Sequence, residues 1–230
     1  MSEKLSEKSS EKSVIVFLGP SLEIDFARSV LPSADFRPPA ARGDLEKAAA
    51  ENPDIICLID GVFFEQCSVG HREILAALKK GICVVGASSM GALRASETEL
   101  FGMIGIGKVY ELYKTGTIES DDEVAVICDP LTNAAVSEAL VNIRATLEKA
   151  VLESVLTKDE SEILFKEAAE TYYPDRLYDF LIEKARETKL IDAGALDRFE
   201  KWISEGNAAE IKREDAIAAL NFVRQKTEEE

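Results

Sequence analysis

Residues Ile82 to Ala95 read ICVVGASSMGALRA. An apolar run rich in β-branched side chains, a turn of small residues and the start of a helical period predict a buried strand that bends sharply into a helix. A strand with no polar alternation is covered on both faces, which is the setting of a parallel sheet between helical layers. The segment thus predicts an α/β domain and places its functional centre at the bend.

The same texture continues on both sides. Val14 to Leu18 is an expected strand, followed by a helix from about Ser21 to Val30, a short strand near Ala34 to Arg37 and a helix around Leu45 to Glu51. Then come the strand Ile55 to Ile59, a helix around His71 to Lys80, the strand Ile82 to Val85, a helix from Gly91 to Leu100 and a last strand at Val124 to Ile127. Gly102, Gly105 and Gly107 lack the strand before and helix after that a dinucleotide fingerprint needs, and they read as turns. The expected architecture is an open, mostly parallel, Rossmann-like sheet flanked by helices. Beyond Asp129-Pro130 glycine becomes sparse and five amphipathic helices follow: Ala134 to Leu156, Lys158 to Thr171, Asp175 to Thr188, Ala193 to Ser204 and Arg213 to Lys226. Residues 14–133 therefore read as an α/β core and 134–230 as a helical extension, with an approximate boundary. Ser-Glu-Lys repeats at 2–4, 6–8 and 10–12, so residues 1–13 read as a flexible tail.

With 230 residues, 46% of them apolar, the chain has material for one core and a smaller satellite. No apolar run reaches the roughly eighteen residues of a membrane span, and the first residues lack the apolar stretch of a secretory signal. A cytoplasmic protein without a membrane partner is expected. A net charge of -16 with no basic cluster disfavours nucleic acid. Of the four cysteines, Cys57, Cys83 and Cys128 lie in apolar runs and read as small buried hydrophobes, whereas Cys67 lies in a polar loop as a possible reactive thiol.

Ligands of such sheets bind beyond the carboxyl ends of the strands, which here read Gly19-Pro20-Ser21, Asp60-Gly61 and Gly86-Ala87-Ser88-Ser89. Ala87 to Gly91 fits A-x-S-x-G, a variant of the strand-turn-helix elbow that projects a serine, here Ser89, with helix N-terminal amides behind it as an oxyanion hole. Ser88 or Ser89 equally suits a helix N-cap, and the two readings are compatible. His71 is the one histidine, so a nucleophile activated by imidazole must use it. Asp60 or Glu73 completes a plausible set with Ser89 and His71. Arg94 is placed to bind a carboxylate or thiocarboxylate, or to pair with Glu97, Glu99 or the acidic run at 121–123. Asp121, Asp122 and Glu123 form an acidic run that reads as a solvated loop or a hard-cation site. No metal and no cofactor is expected, and a phosphate-binding reading lacks a P-loop or G-x-G-x-x-G after a strand.

VFLGPSL at 16–22, IDG at 59–61, HREILAALKKGICVVGASSMGALRASE at 71–97, FGMIGIGKVYELYKTG at 101–116, DDEVAV at 121–126 and ALVNIRATL at 139–147 together resemble the TfuA-like family. The resemblance spans Val14 to about Leu147. It implies an accessory of YcaO enzymes, which activate backbone amides with ATP so that sulfide replaces oxygen and a thioamide forms. The implied task is sulfur release from a thiocarboxylated ThiS-like carrier, and help to YcaO in engaging its substrate, a ribosomal peptide or a glycine of methyl-coenzyme M reductase. The positions it transfers are Gly19, Ser21, Asp60, His71, Glu73, Ser88, Ser89, Arg94, Asp121 and Asp122. Ser89, His71 and Asp60 stand as the expected catalytic set and the others as substrate-binding. The alternative is a non-catalytic adaptor that only binds YcaO and its substrate.

Overall fold

The structure, a computed structural model, describes residues 12–63, 67–129, 131–132 and 134–229. The tail expected over 1–13 lies outside the described residues except for its last two. Five strands form one sheet: β1 (Val14–Phe17), β2 (Asp35–Arg37), β3 (Ile55–Leu58), β4 (Cys83–Ala87) and β5 (Ile104–Ile106). All neighbours are parallel, in the order β2-β1-β3-β4-β5. β1 and β3 are buried at every position, as their unbroken apolar runs require.

The helices α1 (Ile24–Val30), α2 (Asp44–Ala50), α3 (His71–Lys79), α4 (Met90–Thr98) and α5 (Lys108–Lys114) alternate with the strands. Five more follow: α6 (Leu140–Leu152), α7 (Lys158–Glu170), α8 (Tyr178–Thr188), α9 (Ala193–Trp202) and α10 (Ile211–Glu228). One face of the sheet packs Ile15, Phe17, Ile56, Leu58 and Val84 against side chains of α2, α3, α4 and α5. The other face, with Val16, Cys57, Ile59 and Val85, packs on Ala27 and Leu31 and on Ala216, Ala219, Leu220 and Val223 of α10. α1 spans two turns and is too short to cover that face alone, so the last helix returns from the helical stretch to complete the layer. A third cluster, including Ile143, Leu147, Leu164, Leu181, Leu196 and Phe199, joins α6 to α9.

One strand differs from expectation. Val124 to Ile127 forms no strand, and the position beside β4 is taken by Ile104–Ile106. Gly105 suits that edge because the Tyr110 ring lies against it, where a Cβ would stand 2.2 Å from the ring. Its flanking glycines gave it the look of a turn. Val124 is instead buried in a loop whose carbonyl accepts a bond from Lys212.

The strand order reverses direction between β1 and β3, whose register aligns Val14 with Ile55 and Phe17 with Leu58. The two carboxyl ends therefore stop side by side, and a crevice opens there. Gly19 to Ser21 leave β1 at this point and Asp60 leaves β3.

Candidate functional site

Asp60 is 2% exposed and Ser21 5%. The Asp60 carboxylate accepts backbone bonds from Gly19 (2.8 Å) and Ser21 (3.1 Å) at Oδ2, and the Ser21 hydroxyl at Oδ1 (2.6 Å). The Ser88 hydroxyl donates to Ser21 Oγ at 2.8 Å. Four of the ten expected site residues thus form one hydrogen-bonded cluster at the strand ends: Gly19, Ser21, Asp60 and Ser88. A serine hydroxyl so bonded directs its hydrogen at a carboxylate, the arrangement that general-base activation of a serine requires.

The bend between β4 and α4 carries its strain at Ser88, with φ 66, and the Ser89 amide donates back to Ala87 across it at 2.7 Å. A non-glycine residue at the centre of such a γ-turn costs about 1–3 kcal/mol. The turn aims Ser88 at Ser21, whereas Ser89 is the buried N-cap position of α4 and makes no side-chain capping bond. Of the amides at this helix start, Ser89 N–H is occupied by Ala87 O, Gly91 N–H by Ile59 O at 3.2 Å and Ala92 N–H by Ser89 O at 3.0 Å, whereas Met90 N–H has no hydrogen-bond partner among the described residues. Gly91 is required for that approach, because a Cβ there would stand 1.8 Å from the Leu58 carbonyl oxygen.

The other expected site residues lie elsewhere. His71, at the first position of α3, has a half-exposed side chain whose Nε2 bonds Glu97 at 2.8 Å. Glu97 sits seven residues beyond Met90, about 10 Å along the helix from its N-terminus. His71 thus makes its bond on the flank of α4 and none with Ser89 or Asp60. Arg94 joins the same group, bonding Val69 O (2.8 Å) and Glu97 (2.6 Å), which matches the pairing alternative. Glu73 accepts from the backbone of Gly70 (2.9 Å) and Gly43 (2.8 Å), capping α3 and tying it to the start of α2. The acidic run is an anchor for the helical stretch: Arg176, 1% exposed, bonds both the carboxylate and the carbonyl of Asp122, and Arg144 pairs with Glu123 at 2.7 Å. Asp121 is exposed beside them. Among the described residues no group of three or more His, Cys, Asp or Glu side chains is placed to hold a metal ion. No helix there is long and apolar enough to cross a membrane.

A cleft of about 620 Å³ opens beside the cluster, lined by Gly19, Pro20 and Ser21, by residues around Ala134 to Asn142, and by Lys212. Lys212 and its neighbours Glu138 and Asn142 were not among the expected site residues. One signal was present: Lys212, Asp215, Ala216 and Ala219 share the helical spacing of the buried stripe, so a lysine stood where an apolar residue belongs. Burial lowers the Lys212 pKa, while Asp60, Cys128 and Glu138 oppose that shift. Among the cysteines, burial pushes the Cys57 thiol up to about 12, so it packs as a hydrophobe. Cys128 is half-buried near Asp60, and Cys67 is exposed.

A model of the TfuA-like protein family matches residues 60–177, more than half of the chain. The chain belongs to the TfuA-like family. No curated protein matches it. Family membership ties the chain to YcaO-associated systems. Asp60 and Ser88 lie within the matched segment, whereas Ser21, in the loop after β1, and Lys212, on α10, lie outside it.

Proposed function

We propose that this TfuA-like protein releases sulfide for a YcaO-type enzyme by hydrolysing the C-terminal thiocarboxylate of a ThiS-like carrier protein, in the cytoplasm, for backbone thioamidation of a ribosomal peptide or of methyl-coenzyme M reductase. The observation that carries this reading is the hydroxyl of Ser21, a residue of the cleft lining, which donates to the buried Asp60 carboxylate at 2.6 Å. Ser21 takes the nucleophile role expected of Ser89, and Asp60 takes the role of base expected of His71.

The chemistry balances with these two side chains. Ser21 Oγ attacks the thiocarboxylate carbon and its proton passes to Asp60. The C–S bond breaks, hydrosulfide leaves with that proton, and an acyl ester on Ser21 remains. Water, deprotonated by Asp60, then cleaves the ester to a carboxylate and restores the serine. Ser88 orients Ser21 through its hydroxyl bond and is a positioning residue.

The test is sulfide release from a thiocarboxylated carrier by the wild type and single variants. Ser21→Ala is expected to lose at least about 100-fold, while Ser89→Ala and His71→Ala stay close to wild type. Wild-type release by Ser21→Ala removes the proposed nucleophile, and no release by the wild-type protein removes the reading.

A binding role toward the YcaO-type partner is compatible and rests on a different observation. Tyr172, Phe180 and Leu190 stand exposed on the helical stretch, where a partner surface would cover them. Titration with the YcaO partner decides it, and absence of binding with and without substrate excludes the adaptor role.

A further inference from the structure

Lys212 is 4% exposed and lines the cleft. Its ammonium has three N–H donors, of which one bonds the Val124 carbonyl at 2.7 Å. The other two have no hydrogen-bond partner among the described residues. A buried cation with unfilled donors is costly, and proteins keep one where something charged arrives to meet it.

The position of this charge is locked by its own helix. Three residues on, Asp215 accepts bonds from the backbone of Lys108 (2.8 Å) and Val109 (2.7 Å), which fixes the register of α10 against the start of α5. Asp60 does not neutralise Lys212 through a hydrogen bond, because its described bonds go to Gly19 and Ser21. The backbone amides of Ser89 and Gly91 are bonded internally, so they offer no positive site for an anion. Of the cations that line the cleft, Arg37 pairs with Asp35 and Glu51, Arg213 lies near Glu23 and Glu210, Arg28 is exposed, and Lys212 is the buried one.

We propose that Lys212 is the anion-holding residue of the cleft, binding the negatively charged end of an extended acyl chain, a carboxylate or thiocarboxylate, beside Ser21. Gly19, Ala134, Ala135 and Ala139 are among the lining residues, and the cleft, about 620 Å³, has room for a chain end. The inference rests on the proposed hydrolysis for the identity of the acyl group, and there Lys212 also stabilises the oxygen of the tetrahedral intermediate. The anion binding itself needs no turnover.

Ionisation gives a second handle. Burial lowers the Lys212 pKa, and the charged and titratable groups around it are Asp60 after β3, Cys128 and Glu138 before α6, and Glu210 and Arg213 beside it on the chain. The ammonium is the binding form, so anion affinity is present at low pH and lost as pH rises through the lowered value. Arginine keeps its charge to much higher pH.

The experiment is fluorescence anisotropy with a labelled alanine-glycine hexapeptide ending in a free carboxylate, against the same peptide as a C-terminal amide. Wild type is expected to bind the carboxylate about tenfold tighter or more. Lys212→Met erases that preference. Lys212→Arg retains it and carries it to higher pH than wild type. A preference that survives in Lys212→Met, or is absent in wild type, overturns the proposal. If Lys212→Met fails to fold, an Arg variant that loses the preference at the wild-type pH overturns it instead. Peptide preference without sulfide release from the thiocarboxylated carrier refutes the hydrolytic reading alone, whereas equal sulfide release by wild type and Lys212→Met refutes the Lys212 role alone.

Discussion

Replacing Asp60 separates the chemistry of the cluster from its architecture. In Asp60→Asn the amide turns its oxygen toward the Gly19 and Ser21 backbone N–H groups now bound by Oδ2, and its NH2 toward Ser21 Oγ. The Ser21 hydroxyl then receives where it used to donate, and no base remains. Three bonds lose their charge assistance, which costs about 1–2 kcal/mol in all. For a chain of this length that lowers Tm by roughly 2–8 °C. Sulfide release falls by about 100- to 10,000-fold, the contribution of a positioned general base. Asp60→Ala differs, because it strands both backbone donors as well. The expected cost is about 3 kcal/mol, or roughly 6–12 °C in Tm. The assays are circular-dichroism melting and sulfide release from a thiocarboxylated carrier. An Asn variant that releases sulfide within tenfold of wild type refutes Asp60 as base, and an Ala variant no less stable than Asn refutes the accounting of the loop.

Two further outcomes test the packing and the charge of the fold. Gly91→Ala sets a Cβ 1.8 Å from the Leu58 carbonyl, so overpacking against backbone costs about 3 kcal/mol or more. Gly81→Ala meets nothing within 4 Å and bears only the strain of φ +83, about 1–2 kcal/mol; melting temperatures in the reverse order contradict this. Asp215 has its carboxyl pushed up to about 6, chiefly by burial and against the bonds from Val109 and Lys108. A raised carboxyl pKa means the fold prefers the neutral acid. The contribution of Asp215 to stability is therefore most favourable below the unfolded value near 4 and falls as pH rises through about 6, by up to roughly 3 kcal/mol. Urea unfolding at pH 4 and pH 7 reads this: Asp215→Asn gains on wild type between the two, beyond a constant offset for the altered cap, and an unchanged gap refutes it.

Most of the α/β layer was legible in the chain, because the apolar runs of β1, β3 and β4 have one stable environment, a parallel sheet covered on both faces. The crevice followed from the same logic, since small and polar residues gather at the strand ends. β5 was not legible: three residues around a glycine carry too little period, and Gly105 becomes an edge strand only when the Tyr110 ring packs on it. The pairing of side chains was also hidden. Ser89 fits the elbow pattern by spacing, yet the turn strains Ser88 and points it at Ser21, a partner 67 residues away in sequence.

Local periodicity sets where the strands end, and the order of residues along the chain therefore already puts Gly19, Ser21, Asp60 and Ser88 at one edge of the sheet. The turn of His71 and Arg94 to Glu97, the cover that α10 gives the second face and the entry of Lys212 into the cleft come from long-range packing. Those outcomes depend on which distant surfaces bury each other, and no local pattern encodes that choice.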